Sequence, residues 1–423
     1  MIKKLKEYIK VALGTGFLYI MLSNVLNSFF GFISKSILAR IISKTDYGVY
    51  SYANNILSYF LLFTGLGMVS GTLQICCEHN KNETKMYSIY RYGFSRGILI
   101  NIFLGVCIIF YSRFVEMPIQ DAQYYLLLMA LLPLINIILE FTGIYFRSNY
   151  RNKEYAITYT INAALICFIS TLGALKLGVS GIILASYMGP VLSVLFIYFF
   201  TTEKRKKWNV SSLEKQLKRE IWKVSLVSMG VNAISQLMYL IDISMIGEYI
   251  KDEKVIASYQ IATMIPTALL TFPLAVMTYI YPYFVSHIND LEWTRKKYKI
   301  IFWGMGLVNF CISLILIVAA PQIIGIVFGN QYQDAVPVFR ILSFSYFWQG
   351  TFRIIAGNLL VTQKKLKFNL IASILTAVVN IIADYLLISR FQSIGVALAT
   401  LIVMIFSGIL STIYYMYVIN KGK

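Results

Sequence analysis

FQSIGVALATLIVMIFSGILSTIYYMYVIN, residues 391–420, runs without a single Asp, Glu, Lys or Arg. Four more stretches share this property: 11–34, 47–77, 255–289 and 300–333. A helix needs about 20 apolar residues to cross the hydrocarbon core of a bilayer. The longest of these stretches leave room for tilt, or for two crossings joined by a tight turn. Composition agrees: the 423 residues are 58% hydrophobic and 13% charged, with a mean hydropathy of +0.68. Soluble domains carry about 25% charged residues, so a soluble chain is excluded.

Twelve spans are predicted, near 12–38, 49–74, 92–112, 122–146, 155–176, 179–201, 221–248, 255–284, 300–320, 336–361, 367–389 and 393–419. The fold class is therefore an all-α membrane protein of about twelve transmembrane helices. The basic N-terminus leads into an apolar run too long for a signal peptide and without a small-residue cleavage site, so it reads as a first span that stays. The net charge of +19 would suggest nucleic acid on a soluble chain; here asymmetric loop charge explains it, and no nucleic-acid partner is expected. Alternate loops divide the Lys and Arg residues 28 to 8, with two inside spans. Basic loops stay in the cytoplasm, which puts both termini and the 204–220 segment there.

The halves resemble each other. Tyr50-Ser51-Tyr52-Ala53 matches Tyr259-Gln260-Ile261-Ala262 at an offset of 209, and Gly181-Ile182-Ile183-Leu184-Ala185 matches Gly395-Val396-Ala397-Leu398-Ala399 at 214. The expected organisation is an N-terminal six-helix lobe (1–203), a cytoplasmic linker (204–220) and a C-terminal six-helix lobe (221–423). An even-numbered repeat relates such lobes by a pseudo-two-fold along the membrane normal.

Charges inside spans are expensive and mark cavities or pairs. Lys35, Glu140, Asp242, Arg353 and Asp384 lie within spans, in line at helical spacing with Asn24, Asn136, Asn232, Gln349 and Asn380. These five stripes read as a polar cavity in which the charges bind substrate or gate, and the amides line the wall. Small and polar residues also glue membrane helices together without any substrate. Arg40 and Arg147 sit near span ends, where they either join the cavity or snorkel to the interface. The five cysteines are odd in number and mostly inside apolar runs, so buried inert thiols are expected. No His, Cys or carboxylate spacing points to a metal, no P-loop to ATP hydrolysis, and no Asp-x-Asp to a membrane glycosyltransferase.

Several segments resemble one family. Ala39-Arg40-Ile41-Ile42 with Asp46-Tyr47-Gly48-Val49-Tyr50-Ser51, then Gly65-Leu66-Gly67, Tyr145-Phe146-Arg147, Ile241-Asp242 with Ile246-Gly247, Asn380-Ile381-Ile382, and Ser393-Ile394-Gly395-Val396-Ala397-Leu398-Ala399-Thr400 are similar to the Wzx-type lipid-linked oligosaccharide flippases. That polysaccharide export family falls in the superfamily that includes the multidrug-and-toxin (MATE) extruders. The resemblance implies a non-enzymatic transporter. It would move an undecaprenyl-pyrophosphate-linked glycan across the bacterial cytoplasmic membrane for O-antigen, capsule or a related polysaccharide, alongside other polysaccharide assembly proteins. It implies no cofactor and allows coupling to a proton or sodium gradient. One departure stands out: these flippases tend to a cationic cavity, whereas the intramembrane charges here are two basic and three acidic. A cation-coupled drug extruder of the same fold would use those carboxylates, and is the alternative; a polysaccharide polymerase, which needs substantial outer loops, is less favoured.

The topology is testable by labelling. A cysteine at Val210, in a chain without its native thiols, should react with an impermeant reagent only after the cells are opened; labelling in intact cells would reverse the orientation.

Overall fold

The structure is a computed structural model that describes residues 17–200 and 212–421, excluding the side chains at 17, 18, 234, 235, 238, 239 and 366. The start of the first span, residues 204–211 of the linker and the last two residues lie outside the described part. Within it the chain is almost wholly helical, the form that lets a backbone in hydrocarbon satisfy its own amides. The helices are α1 (Phe17–Ile41), α2 (Lys44–Leu61), α3 (Met68–Glu78), α4 (Glu83–Phe114), α5 (Asp121–Leu128), α6 (Leu132–Ser148), α7 (Asn152–Leu177) and α8 (Val179–Phe200). They continue as α9 (Lys215–Tyr249), α10 (Glu253–Leu269), α11 (Thr271–Ser286), α12 (Leu291–Val318), α13 (Ala320–Val327), α14 (Val336–Trp348), α15 (Ile354–Thr362) and α16 (Leu366–Asn420).

Among the described residues each predicted span falls on helix, and eight helical stretches are long and apolar enough to cross a membrane on length and composition alone. Several spans are broken: the second into α2 and α3, the fourth into α5 and α6, the eighth into α10 and α11, and the tenth into α14 and α15 around a π-turn, Gln349–Arg353. The last two spans are one run, α16, bent at Gln392.

The chain forms two compact units, Met1–Leu237 and Met238–Lys423. In the first, Met68, Ile75, Ile137 and Phe141 form a core that takes in Leu217 and Ile221 from the start of α9. Gly67 (φ +75°) and Gly71 permit this approach, since a Cβ on either would fall 2.1 Å from an Ser225 oxygen. In the second unit Met277, Phe284, Tyr298, Leu359 and Tyr415 do the same work. Of the five cysteines only Cys76 is buried, while Cys77 and Cys311 are exposed. The expectation of buried thiols therefore fails for most of them. In a membrane span an apolar neighbourhood does not distinguish the core from the outer face, because both favour apolar side chains.

The repeat is visible in local geometry. Ser43 caps α2 through its side chain, and Asp252, 209 residues on, caps α10. The turn joining α7 to α8 places Gly178 at φ +59°, ψ −136°. Its counterpart, 214 residues on, is Gln392 at φ +51°, ψ −133°. Just beyond each turn a glycine meets the preceding helix: a Cβ on Gly181 would lie 2.1 Å from the Gly173 carbonyl oxygen, and one on Gly395 would lie 2.3 Å from that of Leu387. The first copy thus has glycine where this backbone wants it, and the second holds a glutamine in a conformation open chiefly to glycine. Gln392→Gly should stabilise the protein by about 1 kcal/mol and Gly178→Gln should destabilise it by at least as much, read as opposite shifts in melting temperature of the purified chain.

Candidate functional site

The second unit holds the most developed polar site. Asp242 comes from α9, Tyr259 from α10, and Asn380, Asp384 and Thr400 from α16. The Tyr259 hydroxyl donates to Asp242 Oδ2 at 2.6 Å and the Thr400 hydroxyl donates to the same oxygen at 2.9 Å. Asn380 Nδ2, one helical turn from Asp384, donates to Asp384 Oδ2 at 2.8 Å. Asp384 is fully buried, as are Tyr259 and Asn380 nearly so. Each carboxylate keeps a buried second oxygen, Oδ1, without a hydrogen-bond donor. Among the described residues no basic side chain pairs with either. Two neighbouring carboxylates in such a place repel each other unless a proton or a cation is shared between them.

The repeat offers an internal control. Ser34, 208 residues before Asp242, and Ser170, 214 before Asp384, bond to each other through their hydroxyls at 3.1 Å. The fold is therefore completed in the first unit by two neutral serines where the second unit has two aspartates.

The first unit gathers a second cluster. Glu140 on α6 accepts a hydrogen bond from the Tyr159 hydroxyl of α7 at 3.1 Å. Arg147, two turns further along α6, lies over the Tyr155 ring at 5.5 Å, and Tyr155 packs on Tyr159 at 4.6 Å between ring centroids. Gly143 leaves room for them, since a Cβ there would meet the Tyr159 hydroxyl at 2.8 Å. Asn136 is half-buried one turn before Glu140.

Arg353 ends the π-turn of the tenth span, half-buried, with Nη1 3.4 Å from the Met404 sulfur. Gln349 opens the same turn and is buried. Asn24, Lys35 and Arg40 on α1, Arg147 on α6, and Asn232 on α9 are exposed. The structure thus brings together Asp242, Asn380 and Asp384 from the predicted set, and separately Glu140 with Arg147. Tyr259, Thr400 and Tyr159 complete these clusters and were not among the predicted site residues. Tyr259 and Thr400 were legible only as members of the repeat and of a family-like segment, because a neutral hydroxyl in an apolar run carries no charge signal.

A bundle of broken, apolar helices with buried carboxylates and a half-buried arginine defines a multi-pass membrane protein. The profile of the polysaccharide biosynthesis protein family matches residues 37–337, and the chain belongs to that family. No curated protein matches the sequence significantly. Among solved structures, an inward-facing multidrug resistance MATE family transporter of the MOP superfamily aligns with TM-score 0.75 at 13% identity, covering 93% of this chain and 95% of that one. The lipid II flippase MurJ, in an inward closed conformation, aligns with TM-score 0.71 at 17% identity, covering 95% and 87%. A MOP superfamily transporter from Pyrococcus furiosus aligns with TM-score 0.57 at 13% identity, covering 97% and 94%. The fold is the MATE-like fold these proteins share.

Tyr259→Phe removes the shorter of the two donors to Asp242. It should cost about 1–3 kcal/mol, the penalty of under-satisfying a buried acceptor, and adding Asp242→Leu should recover part of it. Melting of the purified variants checks this, and an unchanged melting temperature for Tyr259→Phe would refute it.

Proposed function

We propose that this protein is a flippase that carries an undecaprenyl-pyrophosphate-linked oligosaccharide across the bacterial cytoplasmic membrane by alternating access. It would serve O-antigen, capsule or a related polysaccharide, with both termini in the cytoplasm. The observation that carries this reading is the conjunction of a polysaccharide biosynthesis family match over most of the chain with a fold shared by a lipid II flippase. Lipid II is itself a glycan on a lipid carrier, which makes a lipid-linked glycan the natural substrate class here. No catalytic step is needed, because the cargo leaves chemically unchanged.

Arg353 is the proposed anchor for the pyrophosphate. It lies in the half of the tenth span toward the basic, cytoplasmic side, where a substrate from that leaflet arrives. Guanidinium offers planar, permanently charged donors matched to phosphate oxygens. The aromatic and charged group of Glu140, Arg147, Tyr155 and Tyr159 supplies further cavity contacts for a glycan.

The carboxylate pair is the proposed site of coupling to a proton or sodium gradient. Asp242 and Asp384 supply the charge, and the Asn380 and Thr400 side-chain oxygens complete an oxygen-rich set of the kind hard cations take. The serine pair at the equivalent place in the first unit supports a functional origin for these charges. The same carboxylates favour the second reading, a cation-coupled multidrug exporter, which shares the fold.

Export of the cognate polymer in a strain lacking this chain, with membrane insertion verified, separates these readings. Arg353→Lys should retain partial export and Arg353→Gln little, since lysine keeps charge and loses the bidentate fork. Asp384→Asn should remove any dependence of export on an imposed sodium or pH gradient. Full export by Arg353→Gln would remove Arg353 from the mechanism, and drug resistance without polymer export would turn the assignment to the exporter.

A further inference from the structure

The tenth span does not reach Arg353 as an α-helix. Gln349–Arg353 forms a π-turn, closed by the Ile354 amide donating to the Gln349 carbonyl five residues back. A π-turn is rarer and less favourable than the α-turn it replaces, and it persists where neighbours hold it. Here three other helices do so. Asn309 of α12, fully buried, donates from Nδ2 to the Thr351 hydroxyl at 3.1 Å, and its Oδ1 accepts from the Tyr346 hydroxyl at 2.9 Å. One carboxamide therefore ties the turn to the helix before it. Gly350 admits that amide and the Pro273 ring of α11, which would lie 3.0 and 3.4 Å from a Cβ. On the far side, Thr412 of α16 donates to the Phe352 carbonyl at 3.3 Å, and Gly408 leaves space for the Phe352 side chain.

The first unit carries a related brace. Asn101, 208 residues before Asn309, is also buried, and its Nδ2 donates at 2.8 Å to the Pro133 carbonyl at the head of α6. The helix it braces carries Glu140, and the helix Asn309 braces carries Arg353, 213 residues later. The same amide in both copies thus secures the element bearing a charge within a span. Only the second copy widens the turn immediately before that charge. On α-helical spacing Ser345, Gln349 and Arg353 would share one face. The wider turn rotates Arg353 out of that register.

We propose that the Asn309–Thr351 contact is a positioning device: it maintains the π-turn, and through it the direction in which the Arg353 guanidinium faces an anionic, pyrophosphate-bearing lipid. Asn309 and Thr351 do not touch the ligand in this arrangement; they act through Arg353. The substrate half of this inference rests on the reading of Arg353 given above, and the orientation half does not.

The test uses the purified full-length chain in nanodiscs with farnesyl pyrophosphate as probe. Thr351→Val is nearly isosteric and loses the acceptor for Asn309; Thr351→Ser keeps it. Thr351→Val should weaken binding about tenfold, the scale of one well-aimed charged contact, and Thr351→Ser should restore it. In an Arg353→Ala background, Thr351→Val should add nothing. Native affinity for Thr351→Val, or the same loss with and without Arg353, would overturn the positioning role. A second measurement is independent of any ligand. With Arg353→Cys in a chain whose five native cysteines are replaced, Thr351→Val should change the rate of modification by a water-soluble thiosulfonate severalfold, and Thr351→Ser should not. An unchanged rate overturns the proposal. If Arg353→Ala binds the probe normally while the labelling rate moves, the anchor reading falls and the control of direction by the turn stands.

Discussion

A backbone amide inside a bilayer has no water to turn to, and an unpaired one costs several kcal/mol. The architecture of this protein follows from how it meets that demand while breaking its helices. The second span opens at Thr64–Gly67, and the freed Gly65 amide donates to Asn101 Oδ1 at 2.8 Å. The fourth span opens between Leu128 and Leu132, and one hydroxyl, that of Tyr187, donates to the Leu128 carbonyl at 2.7 Å and accepts from the Leu131 amide at 3.2 Å. The tenth widens into a π-turn, with Thr412 on the Phe352 carbonyl and Asn309 on Thr351. Each of these three breaks is stitched by a polar side chain from another helix of the same unit. Packing partners are therefore specified by hydrogen bonds, in a solvent where apolar contact alone discriminates poorly.

Duplication shows which of these features the fold requires. Both units cap the start of the span after the first loop, both turn sharply at Gly178 or Gln392, and both carry the bracing amide at Asn101 or Asn309. Such shared features belong to the scaffold. The features that differ carry other information. Ser34–Ser170 gives way to Asp242 and Asp384, and Glu140 to Arg353. A helix pair that closes well with two serines gains nothing structural from two buried acids, which lose solvation worth several kcal/mol apiece.

Much of this was legible in the sequence, and the rest was hidden for identifiable reasons. Charge-free stretches located the spans, because length and apolarity are what a bilayer selects. The offsets of 209 and 214 found from Tyr50 and Gly181 reappear as a pair of caps and a pair of turns. Asp242 and Asp384 were legible because charge in a span is rare, and Asn380 because it falls in line with Asp384 at helical spacing. The breaks were legible only in part. Gly65, Gly67 and Pro133 are compatible with continuous membrane helices as well as with broken ones, and no residue type announces a π-turn. Asn101 and Asn309 were invisible as braces, since a single amide in an apolar run looks the same whether it binds a neighbour's backbone or simply joins two helices. Thiol burial was misread at Cys77 and Cys311, because hydrophobicity in a lipid-facing helix does not report depth within the protein.

The carboxylate pair and the braced arginine differ in one physical respect that bears on the proposed transport. The arginine is permanently charged, so only its direction and its partner can change through a cycle. An aspartate can change its charge, by taking up a proton or a cation, and Asp242 and Asp384 each present a buried oxygen with no donor assigned to it. A ligand moves a conformational equilibrium only by binding one state better than the other. Oxygens already saturated by the scaffold, as at Ser34–Ser170, would bind a small cation equally poorly in every state. Oxygens left over by Tyr259, Thr400 and Asn380 leave a difference for an ion to exploit. On the proposed reading, the first unit supplies a stable copy of the fold, and the second trades part of that stability for a site whose charge can vary.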